Sequence, residues 1–228
     1  MNTNKKVIII FGGSGILGHS LFKDFDDEKY LIINISKNSI LNIPNIINIK
    51  IDLTKKIDFV FLKYKLKSLI EKVDILILAN MFIFHKELFA MSEKELKYEF
   101  EVNFFSYIKI IKFILKDFWN GENLDNKDPH NIESGDKGYN KCFYISSACS
   151  LDYISKERKD LESYGIEKSN VNYLAKYFSA TLKEYNVNSV LYLPGSLEKV
   201  DIKKEIYAQF WEDISSKDLE TFTERVFL

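Results

Sequence analysis

Six short runs rich in Ile, Val and Leu recur along the chain, at Val7–Phe11, Tyr30–Ile35, Ile46–Ile51, Val73–Ala79, Cys142–Ser146 and Ser189–Leu193. Amphipathic stretches of helical period lie between most of them: Leu17–Phe25, Phe59–Lys72, Glu93–Phe118 and Gly165–Tyr185. The runs "VIIIF" and "VDILILA" are continuously apolar rather than alternating, which is the pattern of strands covered on both faces. Strand and helix in alternation call for a parallel sheet with helices on both sides, joined by right-handed crossovers. The expected fold class is therefore α/β: a doubly wound parallel sheet in a three-layer α/β/α sandwich. A chain of 228 residues supplies one sizeable core, so a single domain over 1–228 is expected. No seventh apolar run follows the sixth, since the chain closes on "DLETFTERVFL"; the sheet edge there is expected to be open or covered by the last helix. Residues 120–141, "NGENLDNKDPHNIESGDKGYNK", carry almost nothing apolar and read as a mobile polar insertion between a helix and the next strand.

Charge excludes several partners. A net charge of -1 gives no basic footprint for nucleic acid or for an anionic membrane surface. No stretch approaches the roughly 20 apolar residues of a membrane span, and the N-terminus lacks the architecture of a signal peptide, so a cytoplasmic protein with a small-molecule partner is expected. The 2 cysteines, Cys142 and Cys149, form no CxxC pair and read as reduced thiols, one of them in the core. His19, His85 and His130 are far apart, and no metal site is expected.

The first apolar run breaks into "FGGSGILGHS", placing Gly12, Gly15 and Gly18 between a strand and a helix. Such spacing suits a tight turn, a close backbone approach to a pyrophosphate and close helix–strand packing, with Ser14 and Ile16 beside the phosphates. The start of the helix adds free N–H groups. The overlapping match to a triphosphate-binding loop fails at His19, where that loop needs Lys to meet the β- and γ-phosphates.

Further motifs follow in order. "FEVNFFSYIKI" puts Asn103 inside a long helix, "CFYISSACS" ends a strand in Ser146 and Ser147, "SYGIEKSNVNYL" sets Tyr164 and Lys168 four apart on one side of a helix, and "VNSVLYLPGS" ends a strand in Pro194 and Gly195. Taken in this order over residues 5 to 200, the set resembles the short-chain dehydrogenase/reductase family, whose Rossmann-type fold binds NAD(P). The resemblance implies Tyr164 as the general acid/base on a carbonyl or hydroxyl substrate. It implies that Lys168 lowers the tyrosine pKa from its free value of about 10 and holds the nicotinamide ribose. It also implies that Ser147 orients the substrate oxygen, with Ser146 as the alternate, and that Asn103 anchors a water relaying protons to the lysine. Two features depart from the family. Ser147 lies further from Tyr164 than is usual, so "SKERKDL" is expected to form a loop over the substrate, and the usual Asn-Asn-Ala-Gly reads Leu78-Ala79-Asn80-Met81, which places Asn80 at the cofactor.

The second run ends in Ser36 and Lys37, without the carboxylate that accepts from the ribose 2′-hydroxyl of NAD. A hydroxyl and an ammonium suit a 2′-phosphate, so NADP(H) is favoured and NAD(H) is the alternative. "IDLT" supplies Asp52 and Leu53, similar to the family's acidic-plus-aliphatic pair beside the adenine, although Asp52 could equally cap the following turn. A second similarity, to quinonoid dihydropteridine reductase, rests on "FGGSGILG", "YGIEK" and "DISSKDLETF", against which stand the presence of Ser147 and Asn103 and the missing acid. A nucleotide-binding relative without turnover is the remaining alternative, with Met81 as its motive. After Gly195, Tyr207, Phe210 and Trp211 read either as a lid or as helix packing. The two long helices carry apolar residues on more than one face, implying a homodimer or homotetramer.

Overall fold

The computed structural model describes residues 4–38, 40–119, 139–151, 156–197 and 199–227. Its centre is one sheet of seven parallel strands: β1 (Lys6–Phe11), β2 (Tyr30–Ser36), β3 (Ile46–Lys50), β4 (Ile75–Leu78), β5 (Asn140–Ile145), β6 (Val187–Pro194) and β7 (Phe222–Phe227). The strand order is β3-β2-β1-β4-β5-β6-β7. The chain winds outward from β1 to β3, then crosses to β4 on the other flank of β1. Between the carboxyl ends of β1 and β4 this reversal opens a crevice, the usual ligand position in open α/β sheets.

Successive side chains of β1 explain the layers, because a pleated strand sends neighbours to opposite faces. Ile8 and Ile10 join the core beneath α1 (Ile16–Phe22) and α6 (Val200–Ser215). Val7, Ile9 and Phe11 join the larger core beneath α2 (Lys56–Leu69), α4 (Ser106–Ile114) and α5 (Glu162–Lys183). Ahead of α4 lies α3 (Glu93–Phe100), opened by a capping box in which Ser92 and Glu95 satisfy each other's backbone N–H groups. The long helix expected over Glu93–Phe118 is present, with π-helical turns at Glu101–Phe105 and Leu115–Trp119.

The chain does form a seventh strand. In β7 the residues facing the core are diluted by Thr223, Glu224 and Arg225, so no continuous apolar run marks it. Charged residues on a sheet's edge strand discourage pairing with other chains. Arg225 also anchors the strand to α6, donating to Asp213 Oδ1 at 3.0 Å.

The polar insertion expected over 120–141 ends too late by two residues, because Asn140 and Lys141 belong to β5; residues 120–138 lie outside those described. Lys141 is buried, and its ammonium donates to the carbonyls of Asp213 (2.7 Å), Ile214 (2.6 Å) and Ser216 (2.7 Å). It thereby caps the end of α6, where helix carbonyls have no partners of their own. Both cysteines are free, Cys142 in the core. Phe210 and Trp211 pack on α1 and the sheet through Phe22, Phe143 and Tyr30, and Trp211 Nε1 donates to Leu21 O. They are core residues rather than a lid. Among the described residues no helix is long and apolar enough to cross a membrane, and no cluster of metal-ligating side chains occurs.

Candidate active site

The glycine turn leaves β1 at the crevice. Gly12 has a φ of +84°, and a Cβ there would lie 2.5 Å from Asn80 Cα, so only glycine lets this turn rest on the segment after β4. Gly18 is equally constrained, since its Cβ would meet Gly13 O at 1.8 Å. Gly15 differs: it caps the start of α1 with extended backbone, and the nearest atom to an added Cβ is 3.9 Å away. Among the described residues no other atom comes within 4 Å of that position. Ile16, 52% exposed, borders it. Such a glycine admits a ligand, while Gly12 and Gly18 hold the turn in shape.

A polar ladder connects the turn to the second strand. Ser14 Oγ donates to Ser36 Oγ at 2.6 Å, Ser36 Oγ donates to Asn34 Oδ1 at 3.1 Å, and Asn34 Nδ2 donates to Asn48 Oδ1 at 2.7 Å. Beside it, Lys37 pairs with Asp52 at 3.0 Å and donates to the Tyr98 hydroxyl at 2.8 Å. The second strand indeed ends without its own carboxylate, yet the segment after the third supplies Asp52. Burial opposes ionisation of Asp52, but hydrogen bonds from Thr54 and Lys37 prevail and hold its carboxyl below the ordinary range. Asp52 thus does two things, accepting from Thr54 as a turn cap and neutralising Lys37. Leu53 is half-buried against the larger core.

After β4, Asn80 Nδ2 donates to Val102 O and to Ser106 Oγ, while Asn80 Oδ1 is buried without a hydrogen-bond partner among the described residues. Met81 is 55% exposed and takes no part in these contacts.

At the end of β5 the two serines separate. Both are buried, but Ser146 Oγ donates to the backbone of Lys168 at 3.1 Å, whereas the Ser147 side chain accepts from Cys149 N at 3.2 Å and lies close enough to Tyr164 to favour its ionised form. Ser146 is thus engaged by α5, and Ser147 is the serine beside Tyr164. Tyr164, Glu167, Lys168 and Val171 form the inner stripe of α5, as helical spacing requires. Lys168 Nζ donates to Ile145 O at 2.9 Å and lies 5.6 Å from the centre of the Tyr164 ring. Burial lowers its pKa to about 8.

One expectation is reversed. Burial raises the Tyr164 hydroxyl well above its free value, against the pull of Ser147, because the Lys168 ammonium sits over the ring rather than at the oxygen. Of the stretch "SKERKDL", Lys156–Leu161 forms short 3-10 turns leading into α5, and Ser155 lies with 152–154 outside the described residues.

Asn103 occupies the π-helical turn before α4, a place where helices often carry functional groups. Its side chain accepts from Phe82 N at 2.8 Å and donates to Phe82 O at 2.7 Å and to Glu167 Oε2, so it staples the segment after β4 to both helices. Pro194 ends β6, and Gly195 N donates to Phe227 O at 2.6 Å, which ties the sixth strand's exit to β7.

Two buried residues at the site escape motif reading. Glu167 stands inside the Tyr164–Lys168 interval, fully buried, with Oε1 unpartnered among the described residues; burial raises its pKa to about 7. Tyr107 lies one turn beyond Asn103, also fully buried. Helical spacing alone places both on inward stripes, and that was the available signal.

No family model and no curated protein matches the sequence. Solved structures do match by shape. Pseudomonas aeruginosa RhlG in its NADP complex superposes with a TM-score of 0.75 at 13% identity, covering 96% of this chain and 94% of that one. A short-chain dehydrogenase from Leptospira borgpetersenii with bound NAD+ gives a TM-score of 0.76 at 13% identity, covering 99% and 92%. This chain has the short-chain dehydrogenase fold. A 4-hydroxyisoleucine dehydrogenase complexed with NADH and succinate is similar to it as well, with a TM-score of 0.75 at 18% identity over 96% and 97%.

Proposed function

We propose that the protein is an NADP(H)-dependent oxidoreductase of the short-chain dehydrogenase kind, interconverting a small-molecule carbonyl and its alcohol, with NAD(H) as the alternative cofactor. The observation that carries this reading is the meeting of Ser147, Tyr164 and Lys168 at the carboxyl end of β5, on the same sheet edge as a glycine turn with open space at Gly15. The residues present fit the cofactor. Gly12, Gly15 and Gly18 shape the turn that would take the pyrophosphate, and Asn80, packed against Gly12, would stand beside the cofactor. Ser14, Ser36 and Lys37 would meet a 2′-phosphate, with Asp52 weakening that attraction.

A bound nicotinamide supplies the hydride in reduction and accepts it in oxidation. For reduction, Ser147 and Tyr164 donate hydrogen bonds to the carbonyl oxygen and orient it. The Tyr164 proton passes to that oxygen as the carbonyl carbon is reduced. The phenolate left behind would accept from the Ser147 hydroxyl, with the Lys168 ammonium, 5.6 Å from the ring centre, offsetting part of its charge across the ring. Burial around Tyr164 excludes water and strengthens both interactions.

Titration of purified protein with NADPH and with NADH, followed by nicotinamide fluorescence, tests the cradle directly. Tight NADPH binding is expected; binding of neither would refute the proposal. Once turnover on a carbonyl substrate is found, Tyr164→Phe is expected to lower it a hundredfold or more while leaving nicotinamide affinity within about twofold. Unchanged turnover would remove Tyr164 from the reaction.

A further inference from the structure

The Tyr107 hydroxyl is held among four polar atoms in a site closed to solvent. Leu78 O lies at 2.9 Å, Ile145 O at 3.2 Å, Asn80 O at 3.3 Å and Lys168 Nζ at 3.4 Å. A phenol has one proton to give and can accept in return. With three carbonyls and one ammonium around it, it donates to a carbonyl, Leu78 O being nearest, and accepts from the ammonium. The Lys168 ammonium also lies 5.4 Å from the centre of the Tyr107 ring and 5.6 Å from that of Tyr164, so it is enclosed between two aromatic rings. Its described anchors are thus the Ile145 carbonyl and the Tyr107 hydroxyl.

We propose that Tyr107 is a positioning residue for Lys168: its hydroxyl, locked between the ends of β4 and β5, fixes the ammonium under Tyr164 and stabilises its charged form. Burial raises Tyr107's own pKa far above the ordinary value, so the hydroxyl stays neutral and a constant acceptor at any working pH. The ionisable groups around Lys168 are Tyr164 and Glu167 from α5 and Tyr107 from α4, with Cys142 of β5 next to Tyr107. Of these, Glu167 also favours the ammonium, and it faces Asn103 rather than the Tyr107 hydroxyl. Losing Tyr107's oxygen leaves a desolvated ammonium with one carbonyl partner and a more distant carboxylate, which favours the neutral amine. A catalytic role for Lys168 rests on the proposed function; the placement of its ammonium by Tyr107 does not.

The test is an NMR titration of the full-length chain labelled with 13Cε-lysine, comparing wild type with Tyr107→Phe and using Lys168→Met to assign the resonance. Tyr107→Phe keeps the ring and its packing. Its Lys168 midpoint is expected to fall by about one pH unit, a tenfold weaker hold on the proton. An unmoved midpoint in the folded variant overturns the proposal. A second measurement does not depend on that variant folding: 3-fluorotyrosine placed at 107 should show a 19F step at the Lys168 midpoint that vanishes in Lys168→Met. Absence of the step overturns the proposal as well. Titrating the same wild-type sample with NADPH separates the two readings. A displaced midpoint without nicotinamide binding supports the placement and overturns the oxidoreductase reading, and binding with an unmoved midpoint does the reverse.

Discussion

Replacing Glu167 with Gln should remove a pH dependence that the native fold builds into itself. The carboxyl is fully buried, receives one hydrogen bond from Asn103, and its other oxygen has no partner among the described residues. Burial therefore outweighs the hydrogen bond and the nearby Lys168 and raises its pKa from 4.5 to about 7. The sign follows from proton counting. Between these values the folded chain holds a proton that the unfolded chain has released, so stability is full below pH 4.5 and is lost as pH rises through 7. At about 1.4 kcal/mol per tenfold change in proton affinity, the loss is roughly 3 kcal/mol. Above pH 7.5 the lowered pKa values of Lys141 and Lys168, each about 8, begin to add the opposite slope, so the window for measurement is pH 4.5 to 7.5. Urea unfolding at half-unit steps in this window, for wild type and Glu167→Gln, gives the difference curve. Wild type should lose about 2–3 kcal/mol relative to the variant across it. A flat difference would mean that Glu167 is ionised in the folded chain at all these pH values and that burial does not dominate its titration.

The glycine turn makes a paired prediction. Gly15→Ala should fold with a loss of less than about 1 kcal/mol, because its Cβ meets nothing closer than 3.9 Å, yet weaken NADPH binding tenfold or more. Gly12→Ala, strained by its φ of +84° and blocked by the Asn80 backbone, should instead lose stability by about 2 kcal/mol or more in a denaturant titration. Asp52→Asn releases Lys37 from its ion pair and is expected to improve NADPH affinity about threefold while NADH affinity changes less; an equal change in both would place the 2′-phosphate elsewhere. Lys141→Met leaves three carbonyls at the end of α6 without their donor and should cost about 2–4 kcal/mol, measured by urea unfolding, whereas a lysine in a polar insertion would cost nothing.

Much of this architecture is written in local pattern. Strands buried on both faces need unbroken apolar runs, and β1, with Ile8 and Ile10 to one core and Val7, Ile9 and Phe11 to the other, could be recognised from "VIIIF" alone. The tyrosine and lysine of α5, the serines ending β5 and the glycine spacing likewise follow from helix period and chain order. The seventh strand was not legible, because an edge strand is selected partly for polarity, and Thr223, Glu224 and Arg225 break the apolar run. Lys141 read as solvated for a related reason: the carbonyls that receive it belong to a helix more than 70 residues later.

The amino-acid sequence by itself determined which groups are available and on which element each one stands, since those depend on neighbours within a few residues. Tertiary structure alone decided their states. It gave the Ser146 hydroxyl to the backbone of α5, and paired Asp52, just after the third strand, with Lys37, just after the second. It also raised Tyr164 where an adjacent ammonium was expected to lower it, and buried Tyr107 and Glu167 beside Lys168. Desolvation and charge pairing are properties of what surrounds an atom in space, and that surrounding exists only once distant segments have packed.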